Sequence, residues 1–371
     1  MNIKQLLSET IPDDMTLSER EKAAIRQRIH VNKKPNSLRF LAPVVAASVL
    51  LLALILFIPT LTQDQQPAFE IERSVALPDI PYDSLIPSTY IEQTDELIYT
   101  TNDGIYRYSF EQGVSEKLYD TPKRIYDYVA SEKWIVWKEN TDTNSFLHIV
   151  NRETGEENSI TNDSALIMSI EGDKLVHLSI STNPPSFWLL DLATLQDTSL
   201  HSQGKDGSLG MLDHENGKIV FSERTEDTST LFVYSDVTGE LLHEFPSPYA
   251  SVQRLQIIGD RIYGDFASED EHMQLGYLTM STGEYTELDT PTYWNSIIFG
   301  DYVALDMPDK RGSDLSDVKL YKVKGQELVP ISQFPEVKER LVIPYLFGRD
   351  FAFFIEEDFI SDGPTLHFVK P

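Results

Sequence analysis

One short turn recurs with a period near 42 residues. Each period holds four β-prone runs, and a 23-residue uncharged segment stands upstream of them all. Together these features predict an all-β, seven-bladed propeller behind a single transmembrane helix and a short helical cytosolic tail. The expected boundaries are 1–39 for the tail, 40–62 for the span, 63–67 for a linker and 68–371 for the propeller.

The tail comes first. "MNIKQLLSETIP" puts Ile3, Leu6 and Leu7 on one helical face, and Pro12 ends the run. "TLSEREKAAIRQRIH" sets Ser18 and Glu21 at capping-box spacing, with Ile25 and Ile29 four apart. Two short amphipathic helices follow. Neither is long enough to hold alone in water, so the tail needs the lipid surface, its own pairing or a cytosolic protein partner.

The next element runs from Phe40 to Thr62 without a charge. A helix of that length crosses a hydrocarbon core of about 30 Å. Pro43 and Pro59 lie near its ends, where they interrupt few helix bonds. A cleaved signal peptide would begin nearer residue 1 and carry a shorter apolar core, so the segment reads as an uncleaved anchor. Residues 1–40 carry eight Lys/Arg and five Asp/Glu, a net of +3. Residues 63–371 carry 23 and 54, a net of −31, which closes on the chain's −28. The flanking bases put the N-terminus in the cytosol and the acidic bulk outside, in a single-pass plasma-membrane topology.

The repeat then occupies the rest. "NRETGE" (151–156), "SDVTGE" (235–240) and "TMSTGE" (279–284) carry one turn; "YSFEQGV" and "YKVKGQE" supply Gly113 and Gly325, and "LDLATLQ" fits the frame with Leu195 in place of glycine. The positions 113, 155, 195, 239, 283 and 325 are 42, 40, 44, 44 and 42 apart. Each unit reads as an apolar run, a Gly-Asp-like turn, a second strand, a polar loop, an aromatic third strand, the turn and a short fourth strand. That is one propeller blade. The last unit stops at "TLHFVKP", one strand short. "AFEIERSV" (68–75) is β-prone and is expected to complete it, which removes the open edge. Six blades with an unclosed remnant is the rival.

The period and strand pattern over 68–371 resemble the WD40-like and TolB-like β-propeller superfamily, although the WD dipeptide is absent. The resemblance implies the fold and leaves the activity open. The overall layout, a two-helix cytosolic tail, one span and a large outer domain, is similar to that of single-pass bacterial anti-sigma factors and sensors. That similarity implies a sigma factor as the partner of residues 1–39. The zinc-binding anti-sigma type is excluded because the chain has no cysteine. The same absence excludes disulfides and Cys nucleophiles.

Chemistry is sparse by sequence. The acidic balance excludes nucleic acid as a partner. No H-x-H, H-E-x-x-H, G-x-S-x-G, P-loop or dinucleotide pattern occurs, so no cofactor, metal or catalytic residue is assigned. His148 and His367 hold equivalent third-strand positions, which is repeat similarity. The "TGE" copies fall on different blades and read as structure.

The unrepeated loops between second and third strands are the functional candidates, together with the connections between blades, because both emerge on one face. They carry Asp142, Glu226, Asp227, Glu269, Asp270, Glu271, Asp309, Asp314 and Asp317, with Tyr249, Tyr293 and Trp294 beside them. Such a face suits an extracytoplasmic protein, a cation or a basic ligand. Asp309, Asp314 and Asp317 lack the residue order of a calcium loop. The leading expectation is a ligand- or protein-binding sensor or scaffold rather than an enzyme. The alternatives are an anti-sigma-like regulator and a cell-envelope hydrolase with carboxylates at the propeller channel.

Overall fold

The second and third strands of each repeat are apolar on consecutive residues rather than alternate ones. "WIVW" (134–137) is buried throughout, as is "IVFS" (219–222). Successive side chains of a strand point to opposite faces, so such a run needs cover on both sides. A ring of sheets stacked face to face supplies it.

The computed structural model describes residues 70–77, 88–331 apart from 126, 142–143, 162–164, 227, 268–272 and 309–315, and then 341–347, 350–355 and 365–370. The chain outside the tail and span forms one unit, Pro67–Pro371. In it lie seven four-stranded sheets, each joined in antiparallel register. Six are built from consecutive strands: 88–120, 128–161, 165–202, 207–247, 251–287 and 295–330. The seventh takes Leu341–Phe347, Asp350–Ile355 and Thr365–Lys370 and completes itself with Glu70–Ala76 from the other end of the chain. That strand pairs Glu70 with Lys370 through Ala76 with Thr365, with one irregularity between Ile71 and Arg73. The tail helices of 1–39 and the span at 40–62 lie outside the described residues. Among the described residues no helix is long and apolar enough to cross a membrane.

The core is seven seams. Each of the seven buried clusters draws its members from two neighbouring blades, and the last, with Leu77, Leu97, Tyr99, Leu366 and Phe368, joins blade 7 to blade 1. The alternation is visible within one strand. Ile135 packs into the seam with blade 1, and its neighbour Val136 into the seam with blade 3. Arg73 adds a polar tie at the closure. It donates to both oxygens of Asp95 at 2.9 and 2.7 Å and lies over Phe368 at 4.1 Å and Phe110 at 4.9 Å. The outermost strands read exposed and half-buried in turn, as in Glu157–Thr161, because only one more layer of chain covers them.

The repeated turn is explained residue by residue. All six frame positions have positive φ, from 58° at Leu195 to 73° at Gly283. Gly113, Gly155, Leu195, Gly239 and Gly283 each donate the backbone N–H to the carbonyl four residues back, at 2.7 to 2.8 Å. Left-handed backbone is what glycine adopts without a steric cost. The threonine before it is selected by its hydroxyl, which accepts the N–H two residues on: Glu156 from Thr154, Glu240 from Thr238, Glu284 from Thr282. The glutamate then opens the outermost strand. The motif holds the chain and does no chemistry.

Candidate functional site

Strands alternate in direction within a blade. The turns between first and second strands therefore share one face with the "TGE" turns. The loops between second and third strands share the other with the blade-to-blade connections. Of the twelve sequence-derived candidates, Glu226, Tyr249, Tyr293, Trp294 and Asp317 are described, and they belong to the second face by topology.

The other seven, Asp142, Asp227, Glu269, Asp270, Glu271, Asp309 and Asp314, lie outside the described residues. Asp317 is placed by backbone only, near the start of the third strand of blade 6 (Ser316–Lys324), opposite Met307. Glu226 is exposed with φ of 46° in the tight turn of blade 4. Trp294 is 52% exposed, and its backbone N–H is held by the Asp306 carbonyl at 2.8 Å. Tyr249 and Tyr293 are half-buried. Tyr249 stacks on Phe266 and donates to Glu287 Oε1 at 2.5 Å. Burial, and then that carboxylate, push its phenol upward. Glu226 and Trp294 are thus free to meet a ligand, whereas Tyr249 and Tyr293 are tied into the fold.

Tyr293 leads to a feature that no local motif signals. Its hydroxyl donates to Asp265 Oδ1 at 2.8 Å, and the Ser296 hydroxyl donates to the same carboxylate at 3.0 Å. Asp265 is 1% exposed. Burial pushes its carboxyl up, against the pull of Tyr293, Arg254 and Ser296. Arg254 Nε lies 3.9 Å from Asp265 Oδ2. Its two terminal nitrogens donate to the Ser296 carbonyl at 2.6 Å and Asn295 Oδ1 at 2.5 Å, bridging blade 5 to blade 6. Arg254 sits in a β-bulge of the innermost strand Ser251–Ile258, with φ of 55° and the register shifting between Gln253 and Leu255. The bulge re-aims the side chain.

Arg254, Asp265 and Ser296 line a cavity of about 850 Å³ walled by the innermost strands, with Met211, Asp213, His214, Glu215 and Gln256 from blades 4 and 5. Glu92 and Gln93 of blade 1 reach it from the "TGE" side. Asp213 accepts the Ile257 N–H at 2.6 Å, and burial pushes its carboxyl up. The wall offers four carboxyls (Glu92, Asp213, Glu215, Asp265) against one guanidinium, so it favours a polar, cationic guest. Among the described residues one group of metal-capable atoms comes together, Glu171, His214 and Asp236, and it lies on the "TGE" face. Aligning the blades and asking where a polar residue enters an apolar column would have found it.

The ring, its seven seams and the innermost strands around a cavity decide the architecture. The fold is a seven-bladed β-propeller. Solved structures agree at the level of fold. The chain is similar to a component of the Mitotic Checkpoint Complex, 11% identical with TM-score 0.55, over 81% of this chain and 93% of that one. It is similar to an oligogalacturonate lyase in complex with manganese, 12% identical with TM-score 0.52, over 77% and 89%. It also matches the β-propeller domain of the Trilobed protease from Pyrococcus furiosus, 15% identical with TM-score 0.50, over 67% and 84%. That domain has an open velcro topology, whereas this propeller closes through Glu70–Ala76. No family model and no curated protein matches the sequence. A checkpoint component, a lyase and a protease domain on one fold leave function to the site.

Proposed function

We propose that the chain is a single-pass, plasma-membrane-anchored protein whose extracytoplasmic propeller binds a basic ligand or protein and serves as a sensor or scaffold. One observation carries the binding half. Glu226 and Trp294 are exposed, and the cavity walled by the innermost strands is rich in carboxyls. Carboxylates beside an exposed indole suit an ammonium or guanidinium group. A fluorescent oligolysine tests it on the full-length chain. Binding weakened about tenfold by E226K and W294A together supports the reading, a change of about 1.4 kcal/mol. Unchanged binding sinks it.

The uncharged segment at 40–62 and the bases before it support the anchor. Because the chain has no cysteine, single cysteines report topology cleanly. Val237, 79% exposed, replaced by cysteine should label with an impermeant maleimide on intact cells, and Ser8→Cys only after permeabilisation. The opposite pattern overturns the orientation. A tail partner such as a sigma factor would co-purify with the full chain and be lost when Leu6 and Leu7 are changed to Asp. Retention through that change excludes a role for the first helix.

A second reading, an envelope hydrolase, is favoured by the buried Asp265, whose carboxyl is pushed up as a general acid's would be. Hydrolysis of an aryl-glycoside panel that D265N abolishes would establish it. No turnover above D265N removes it.

A further inference from the structure

The polar cluster at the seam of blades 3 and 4 departs from the repeat at two columns at once. His214 pairs across the strand with Ile219; the equivalent positions pair Ile170 with Leu175, Ile257 with Ile262 and Ile298 with Val303. Where blades 3, 5 and 6 carry isoleucine, blade 4 carries a histidine with no exposed side-chain surface. Asp236 donates its backbone N–H to Gly217. The residues making the equivalent bond are Leu192 in blade 3 and Met280 in blade 5, both in the core, and Arg152 in blade 2. Where blades 3 and 5 bury an apolar side chain, blade 4 places an aspartate whose side chain is 10% exposed. The two replacements meet. His214 Nε2 lies 3.2 Å from Asp236 Oδ2, and Glu171 Oε2 of blade 3 stands 3.6 Å from the same nitrogen.

Hydrogen bonding alone does not account for this arrangement. One imidazole nitrogen has one proton to give, and two carboxylates converge on it. Asp236 Oδ1 is buried with no hydrogen-bond partner. His214 Nδ1 is also buried and unpaired, with or without an ion, so it does not discriminate. Glu171 is oriented from outside, because the backbone N–H groups of Asn216 and Gly217 donate to its two oxygens at 2.7 and 3.0 Å. A carboxylate held by donors behind it is the usual second layer of a metal ligand. Donor atoms at ordinary bond lengths around a tetrahedral ion stand about 3.3 Å apart; the two distances from His214 Nε2 are 3.2 and 3.6 Å, and all three donor atoms lie within 4.8 Å of one another.

We propose that Glu171, His214 and Asp236 bind a divalent first-row transition cation that pins blade 3 to blade 4. An imidazole with two carboxylates suits zinc or manganese better than calcium, which prefers more oxygens. Three protein ligands leave one position open on the Glu171 side, where the side chain is 33% exposed. His214 also borders the cavity, whereas Glu171 and Asp236 do not line it, so the site adjoins that cavity on the "TGE" side and is distinct from the loop face.

The test uses zinc and the full-length chain in detergent, stripped with chelator. Excess magnesium and 0.5 M salt occupy and screen the surface carboxylates of this acidic chain. Wild type should retain about one zinc per chain through gel filtration and melt higher when loaded. The double variant H214I/D236L restores the residue types of neighbouring blades, and E171Q keeps the shape of the third ligand. Both should bind at least about 100-fold more weakly. Cobalt should give a visible ligand-field band in wild type and none in H214I/D236L. No retained zinc in wild type, or equal affinity in wild type and E171Q, overturns the site. Should H214I/D236L fail to fold, E171Q decides alone.

Discussion

His177 gives the fold a pH dependence that can be worked from its surroundings. It lies in the second strand of blade 3 (Lys174–Ser179), between Met168 and Trp188, and is 5% exposed. Its Nδ1 has no hydrogen-bond partner. Desolvation depresses its pKa from 6.5 to about 4, and the Asp197 charge offsets only part of that. The folded state therefore holds the neutral ring, while the unfolded chain takes up a proton below about pH 6.5. Between the two pKa values the unfolded state binds more protons, so stability falls as pH falls. The contribution is fully present above about 6.5 and lost by about 4. A depression of this size corresponds to about 3 kcal/mol across the window, of which about 2 kcal/mol is gone at pH 5. Other groups titrate there too, so the assay is a difference. His177→Leu places the residue type of the equivalent Leu305 of blade 6. Urea unfolding of wild type and variant, followed by tryptophan fluorescence from pH 7.5 to 5, should show wild type losing about 2 kcal/mol more than the variant. Parallel curves would mean that folding leaves the His177 pKa at its ordinary value, and the burial argument would be wrong.

Other consequences follow from the turn and the closure. Leu195 holds a left-handed conformation, φ 58°, where five other turns use glycine, and it is 36% exposed. Leu195→Gly should raise the unfolding free energy by up to about 1 kcal/mol, and Gly155→Ala at φ 71° should lower it by about 1 kcal/mol. Denaturation midpoints of opposite sign check both. Leu77 is fully buried in the seam between blades 7 and 1, so Leu77→Ala should cost about 2–5 kcal/mol. A midpoint shift equivalent to less than 1 kcal/mol would show that the closing segment contributes little.

The architecture was legible because its constraint is local and repeated. A left-handed residue is needed in the turn after the third strand of blades 1 to 6, so glycine marks the period, and even Leu195 keeps the frame's conformation. The blade count follows from that spacing and matches the seven sheets. The cavity wall was not legible. Its groups come from several blades, and the bulges break the alternation that a strand reading relies on. A strict period of two misassigns the side of Arg254, because the register shifts at that residue. Asp265 reads as one more acid in an acidic chain until Tyr293 and Ser296, about thirty residues away, are seen to close on it.

The repeat also says where to look for what is particular to this protein. Seven similar seams hold the ring, and most of their positions accept any apolar side chain of suitable size. A polar residue in such a column carries a desolvation cost that its neighbours avoid. The second strand of blade 3 accepts that cost at His177, and the seam with blade 4 accepts it again at His214 and Asp236. Chance drift would scatter such replacements singly. At the blade 3–4 seam two of them arrive in contact, joined by a glutamate from the adjoining blade. In a repeat protein the repeated motif is evidence for the scaffold. Correlated departures from the repeat are the stronger evidence for a site, and the paired change at His214 and Asp236 is such a departure.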